Sequence, residues 1–130
     1  MTMETVEIKA FVPARDFKLS KAFYMDLGFE VGFSDGDLAY LKAGECAFLL
    51  QRFHMKEQAE NFMMHLLVVD VDAWWRHVAS TGLAEKYGVV ALPPQDQPWG
   101  IRDFVLFDPT GVMWRIGTNK EQGGHQRQLT

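Results

Sequence analysis

The chain has 130 residues, 48% of them hydrophobic and 23% charged, with 13 Lys and Arg against 17 Asp and Glu. That balance fits one globular domain and excludes a disordered chain, and a net charge of −4 argues against a general nucleic-acid surface. The single Cys46 excludes an internal disulfide and any multi-cysteine zinc site, and no run approaches the roughly 20 apolar residues of a membrane span.

The first nine residues lack a basic region followed by an apolar run. With a free cysteine, this leads us to expect a cytoplasmic protein without membrane or nucleic-acid partners.

Residues 5–13 read as a first strand, ended by Pro13. Alternation places Lys9 and Phe11 on one face and Ile8, Ala10 and Val12 on the other. From Arg15 to Leu27 the spacing is helical, with Leu19, Phe23 and Leu27 on one stripe, Asp16 as cap and Gly28 as stop. Three strands follow at about 29–34, 38–42 and 46–52, separated by turns rich in Asp and Gly. Cys46 opens the last of them and reads as a buried, inert thiol. Residues 53–60 form a polar linker with a helical turn.

The pattern then restarts. Phe62 to Asp70 is an apolar strand, in which Met64 is expected to face a cleft and His65 a helix. Asp72 can cap a helix through Thr81, with Trp74 and Val78 on its buried stripe and Gly82 as stop. Strands are expected near 88–92, 101–107 and 112–117, the last two joined by the turn Asp108-Pro109-Thr110-Gly111. The tail, about 119–130, is polar and expected to be mobile. Module one thus spans about 5–52, module two about 61–118, within a single domain.

The order β-α-β-β-β occurs twice, and the helix caps align: Asp16 with Asp70, Gly28 with Gly82. The predicted fold is α+β: two tandem βαβββ modules forming a cleft between curved, mostly antiparallel sheets. Such a cleft suits a small molecule.

Three pieces of sequence carry a resemblance: Ala14-Arg15-Asp16, Phe23-Tyr24-x-x-Leu27-Gly28-Phe29, and Gln97-Pro98-Trp99-Gly100-x-Arg102-x-Phe104-x-x-x-Asp108-Pro109-x-Gly111. Over residues of about 6 to 118 the chain resembles the vicinal oxygen chelate superfamily, and its Pro-Trp-Gly-x-Arg-x-Phe piece is most similar to the bleomycin-resistance branch. The resemblance implies a homodimer whose partner completes or borders the cleft. It also implies a Trp, here Trp99, that stacks on a flat part of the ligand.

Enzymes of the superfamily hold a divalent metal with His, Glu or Gln at four strand positions. The matching residues here are Lys9, Leu49 (or Gln51 with a register shift of two), Met64 and Arg115. Lys and Arg offer only donors and a positive charge, and Met is a soft ligand. We therefore expect no metal and no other cofactor, and a binder in preference to an enzyme. The four histidines share no i, i+4 spacing, and no nucleophile or phosphate loop stands out.

The expected ligand contacts are Lys9, Phe11, Phe33, Gln51, Met64, Trp99, Arg102 and Arg115. Arg102 has a second reading, as a tie for the Trp99 loop. Trp74 and Trp114 are read as core. Leu38 stands where resistance proteins carry a second stacking aromatic. Lys9, Arg102 and Arg115 would make the cleft basic, whereas bleomycin is a cation, so a different flat or partly anionic ligand is expected. The rival readings are a lyase or dioxygenase with an altered metal site, and a non-catalytic dimeric interaction module.

Overall fold

The computed structural model describes residues 2–120. Module one runs β1 (Phe11–Ala14), α1 (Phe17–Leu27), β2 (Glu30–Ser34), β3 (Leu38–Ala43) and β4 (Cys46–Arg52). The short α2 (Lys56–Glu60) leads to β5 (Met63–Leu67), α3 (Val71–Thr81), α4 (Leu83–Tyr87), β6 (Ala91–Asp96), β7 (Ile101–Phe107) and β8 (Met113–Asn119). Each module makes a four-stranded mixed sheet, ordered β1-β4-β3-β2 and β5-β8-β7-β6. In each, the first strand lies parallel to the last and the other pairs are antiparallel. The expected α+β fold of two tandem modules is therefore present.

Local chemistry explains the helix ends. Asp16 accepts a hydrogen bond from the Leu19 amide, and Gly28, at φ 131°, ends α1 where a side chain would be strained. The cap of α3 is Asp70, which accepts from the Ala73 amide, and not Asp72 as expected. Asp72 lies one step into the helix and turns to Arg102. The buried face of α1 is Phe17, Ser20, Phe23, Tyr24 and Leu27; Leu19, placed on the buried stripe by its spacing, is exposed. Helix α4 follows Gly82 directly, where the sequence pattern predicts only a stop.

Other strand boundaries also differ. Residues 5–10 form no strand, and Pro13 lies inside β1, opposite Gln51, instead of ending it. β1 is an edge strand, where a proline's missing N–H costs no ladder bond. β6 extends through Pro93 and Pro94, again at an edge, with a register break between Leu92 and Gln95. Cys46 is exposed, because it sits at the end of the β3–β4 hairpin beyond the cover of the helices. The expected mobile tail lies outside the described residues beyond Lys120.

One core holds both modules. Phe29, just before β2, and Phe48 of β4 pack edge-on against Trp114 from the second sheet, with ring centroids 5.8 and 5.3 Å apart, and Tyr24 stands among them. The sheets therefore meet through their helix-covered faces, and the opposite faces look outward. A single chain presents one open face on each sheet. Among the described residues, no helix is long and apolar enough to cross a membrane.

Candidate functional site

The strand registers decide which side chains share an open face. On the first sheet, Phe11, Leu49, Tyr40 and Phe33 are cross-strand neighbours in one row, with Gln51 and Leu38 in the next. Phe11 and Phe33 are 51% and 55% exposed. The row depends on a bulge: the register slips between Val31 and Phe33, and a Cβ on Gly32 would stand 2.6 Å from the Tyr40 ring. Glycine there lets the ring lie flat across β2.

Lys9 also reaches this face. Its Nζ lies 5.6 Å from the Tyr40 ring centroid and donates to Glu7 Oε1 at 3.0 Å, while the Tyr40 hydroxyl donates to Glu7 Oε2 at 3.1 Å. The Lys9 ammonium, foremost, holds the Glu7 carboxyl below its ordinary range. The Tyr40 hydroxyl is pushed up, chiefly by its bond to Glu7.

On the second sheet the matching face carries Met63, His65, Met113, Arg115, Val105 and Asp103. Parallel pairing sets His65 beside Arg115 and Met64 beside the buried Trp114. This reverses the expected orientations: His65 faces outward and Met64 packs against the core, so Met64 is removed from the ligand face. Trp99 projects from the β6–β7 turn at 61% exposure. That turn is closed by backbone bonds from Gln97 to Ile101 and from Gly100 to Gln97.

Arg102 does not face this side. Alternation along β7 puts it with Phe104 and Leu106 toward the helices, where it donates to Asp72 at 3.1 Å and to Asp96 at 3.3 Å. These bonds, Asp72 foremost, raise its pKa above the ordinary value and tie β7 to α3 and β6. Of the eight expected contacts, Phe11, Phe33, Gln51 and Lys9 therefore gather on one open face, Arg115 lies on the other, and Trp99 stands in the turn that joins β6 to β7 of that second sheet. Sequence reasoning missed Tyr40, His65 and Asp103; the signal for each was a cross-strand partner, not a local motif.

The expected basic character is also absent. Lys9 is matched by Glu7, Arg115 by Asp103, and Arg102 by Asp72 and Asp96. The open faces are close to neutral, apolar at the centre and rich in hydrogen-bond donors and acceptors. A divalent metal does not fit them. Arg115 occupies the strand position where an acceptor ligand is needed, and no cluster of three or more His, Cys, Asp or Glu side chains suited to a metal occurs among the described residues. A separate groove of about 760 Å³ runs between the ends of the modules, past Glu30, Lys42, Cys46, Val69 and Trp74.

Comparison with known proteins accounts for this arrangement. The chain matches the Glyoxalase/Bleomycin resistance protein/Dioxygenase superfamily over residues 7–116. It is 30% identical to a bleomycin resistance protein of Klebsiella pneumoniae over 118 residues, 87% of this chain and 92% of that protein. Among solved structures, a bleomycin-binding protein in complex with bleomycin superposes with a TM-score of 0.77 at 28% identity, covering 89% of this chain and all of that one. A bleomycin-binding protein from Streptomyces verticillus, in complex with copper(II)-bleomycin, gives 0.75 at 25% identity over 93% of this chain and all of that one. On its sequence, its paired four-stranded sheets and these relatives, the chain belongs to the glyoxalase/bleomycin resistance protein/dioxygenase superfamily.

Proposed function

We propose that this protein binds a flat, aromatic-bearing small molecule of the bleomycin type and acts by sequestration, without a metal of its own. The observation that carries this reading is the set of aromatic side chains held outward on rigid strands and turns: Phe11, Phe33 and Trp99. Exposed aromatics on a rigid frame lose little entropy on binding and supply a stacking surface. The relatives that bind bleomycin support the ligand class. The pairing of each cation with an acid removes the electrostatic objection to a cationic ligand.

The binding unit in this proposal is a homodimer. Each open face is shallow alone, and the open face of a second copy would close it into a cleft. Residues 2–10 add to the argument. They form no strand, yet Val6 is 99% and Ile8 94% exposed, a cost that a partner surface would remove.

Titration with bleomycin, followed by tryptophan fluorescence and calorimetry, tests the reading. Saturable quenching with one ligand per protomer and an unchanged response after metal chelation is expected. Absence of heat and quenching at millimolar drug would remove it. Sedimentation at micromolar protein should give a dimer; a monomer that still binds would separate the ligand from the assembly.

A further inference from the structure

Asp103 is a carboxylate only 3% exposed, on the open face of the second sheet. Gly117 across the strand makes room for it: a Cβ there would stand 2.8 Å from the Asp103 Cβ. The two carboxylate oxygens have separate partners. Oδ1 accepts from Gln97 Nε2 at 3.0 Å, and Oδ2 accepts from Arg115 Nη1 at 3.1 Å. Gln97 opens the turn that carries Trp99. One buried charge thus holds both the stacking side chain's turn and the cation of the same face. Arg115 spends one amino group on this bond, and its other donors have no protein partner among the described residues.

We infer that Asp103 is the positioning residue of the ligand face and sets its charge preference: it tethers the Trp99 turn through Gln97 and masks Arg115, so the face admits a neutral or cationic flat ligand and disfavours an anionic one. This rests on the ligand-binding reading above. The physical reason is short range. A part-exposed guanidinium attracts an anion, and an adjacent carboxylate within hydrogen-bond distance cancels that field. Arg115 and Gln97 both donate to this buried carboxylate, so neither of its oxygens is left without a partner.

Two probes and three variants test the inference: bleomycin as the cation, and the dye 8-anilinonaphthalene-1-sulfonate as a flat anion. Asp103→Asn keeps the shape and the acceptor for Gln97 but drops the charge. It is expected to weaken bleomycin roughly tenfold and strengthen the dye by a similar factor, as loss of a charge-assisted partner predicts. Acrylamide quenching of Trp99, taken as the difference from a Trp99→Phe counterpart, should stay as in the parent. Gln97→Met removes only the tether; it should raise Trp99 quenching and weaken both probes without reversing their order. Arg115→Gln serves as the mirror variant should Asp103→Asn fail to fold, and should move the dye down relative to bleomycin.

Equal weakening of both probes by Asp103→Asn, or no change in either, would reduce Asp103 to a packing role and overturn the inference. If the parent protein binds neither probe, the ligand reading fails and the charge preference fails with it. Trp99 quenching in the unliganded Gln97→Met variant still judges the tether alone, and an unchanged value overturns that part.

Discussion

The Tyr24 hydroxyl donates to the Asp108 carboxylate at 2.5 Å, joining α1 of the first module to the turn before β8 of the second across 84 residues of sequence. The same hydroxyl accepts from Trp114 Nε1 at 2.8 Å. The other oxygen of Asp108 accepts the amides of Thr110, Gly111 and Val112, which shapes the Asp-Pro-Thr-Gly turn. Burial pushes both groups up from their ordinary pKa values, Tyr24 well above, with the hydrogen bonds to Asp108 opposing the shift there. Removing the hydroxyl by Tyr24→Phe takes the partner from two buried polar atoms, Asp108 Oδ2 and Trp114 Nε1, while Asp108 Oδ1 keeps its three amides. The expected loss is about 2–4 kcal/mol in urea unfolding, from roughly 1–3 kcal/mol for each orphaned group. A loss below about 0.5 kcal/mol would mean that the modules do not depend on this link.

A second link between the modules titrates. Asp26 on α1 accepts from Lys86 Nζ at 2.8 Å and from the Tyr87 hydroxyl at 2.6 Å, both on α4. Lys86, foremost, holds the Asp26 carboxyl below its ordinary range, and Tyr87 is pushed up to about 12, first by burial and then by Asp26. The lowered carboxyl stabilises the fold above its ordinary value, and this is lost as pH falls through the lowered one. The raised phenol stabilises the fold below the ordinary tyrosine value of about 10, and this is lost as pH rises through the raised one. Asp26→Asn should therefore melt earlier than the parent at neutral pH. The gap should narrow below the ordinary carboxylate range and again on approach to about 12. A gap constant with pH in thermal melts would exclude this linkage.

These links show which features a sequence can disclose. The Asp16 cap, the Gly28 stop and the Asp-Pro-Thr-Gly turn were readable because their partners lie within four residues. The facing of Met64 and His65 was not: residues 62–69 are apolar on both sides, so no alternation is present, and the register comes from β8, about fifty residues away. Arg102 was misplaced for the same reason, since Asp72 lies thirty residues from it. Residues 5–10 alternate like a strand, but a strand needs a neighbour along its length, and among the described backbone bonds only Ala10 is met, by the Leu49 amide. Phe11, Phe33 and Trp99 are each more than half exposed, and Phe33 owes its face to the register slip after Val31, which its own segment does not disclose.

Gly117 offers a test of strand spacing that is independent of ligand. A methyl group there would meet Ile101 Cγ2 at 2.9 Å and the Arg102 carbonyl oxygen at 3.0 Å, besides the Asp103 Cβ. Backbone and buried side chains cannot all give way, so Gly117→Ala should cost about 1–3 kcal/mol, the range for overpacked interiors. Gly36→Ala, where no atom lies within 4 Å, is the control and should be near neutral. Equal melting temperatures for the two variants would show that β7 and β8 are not held this closely.

The open faces make the opposite prediction, because their aromatics contribute little to folding. Trp99 and Phe33 are more than half exposed, so Trp99→Ala and Phe33→Ala should alter unfolding free energy by only about 0.5 kcal/mol or less. Phe48, buried against Tyr24, Phe29 and Trp114, should lose about 3–5 kcal/mol on the same change. Binding reverses the order. If the exposed rings form the stacking wall, each truncation should weaken bleomycin about tenfold or more in calorimetric titration, since anchors of this kind dominate an interface. Phe33 lies in β2 of the first module and Trp99 in the β6–β7 turn of the second, and the dimer proposed above does not require one chain's pair to grip a ligand together. In a dimer they could do so from opposite protomers. Mixing Phe33→Ala with Trp99→Ala protein would then form heterodimers in which one cleft keeps both aromatics and the other has lost both. About a quarter of the parental clefts should return in a statistical mixture in which half the dimers are mixed. No tight-binding fraction in that mixture would place both rings on sites within a single chain.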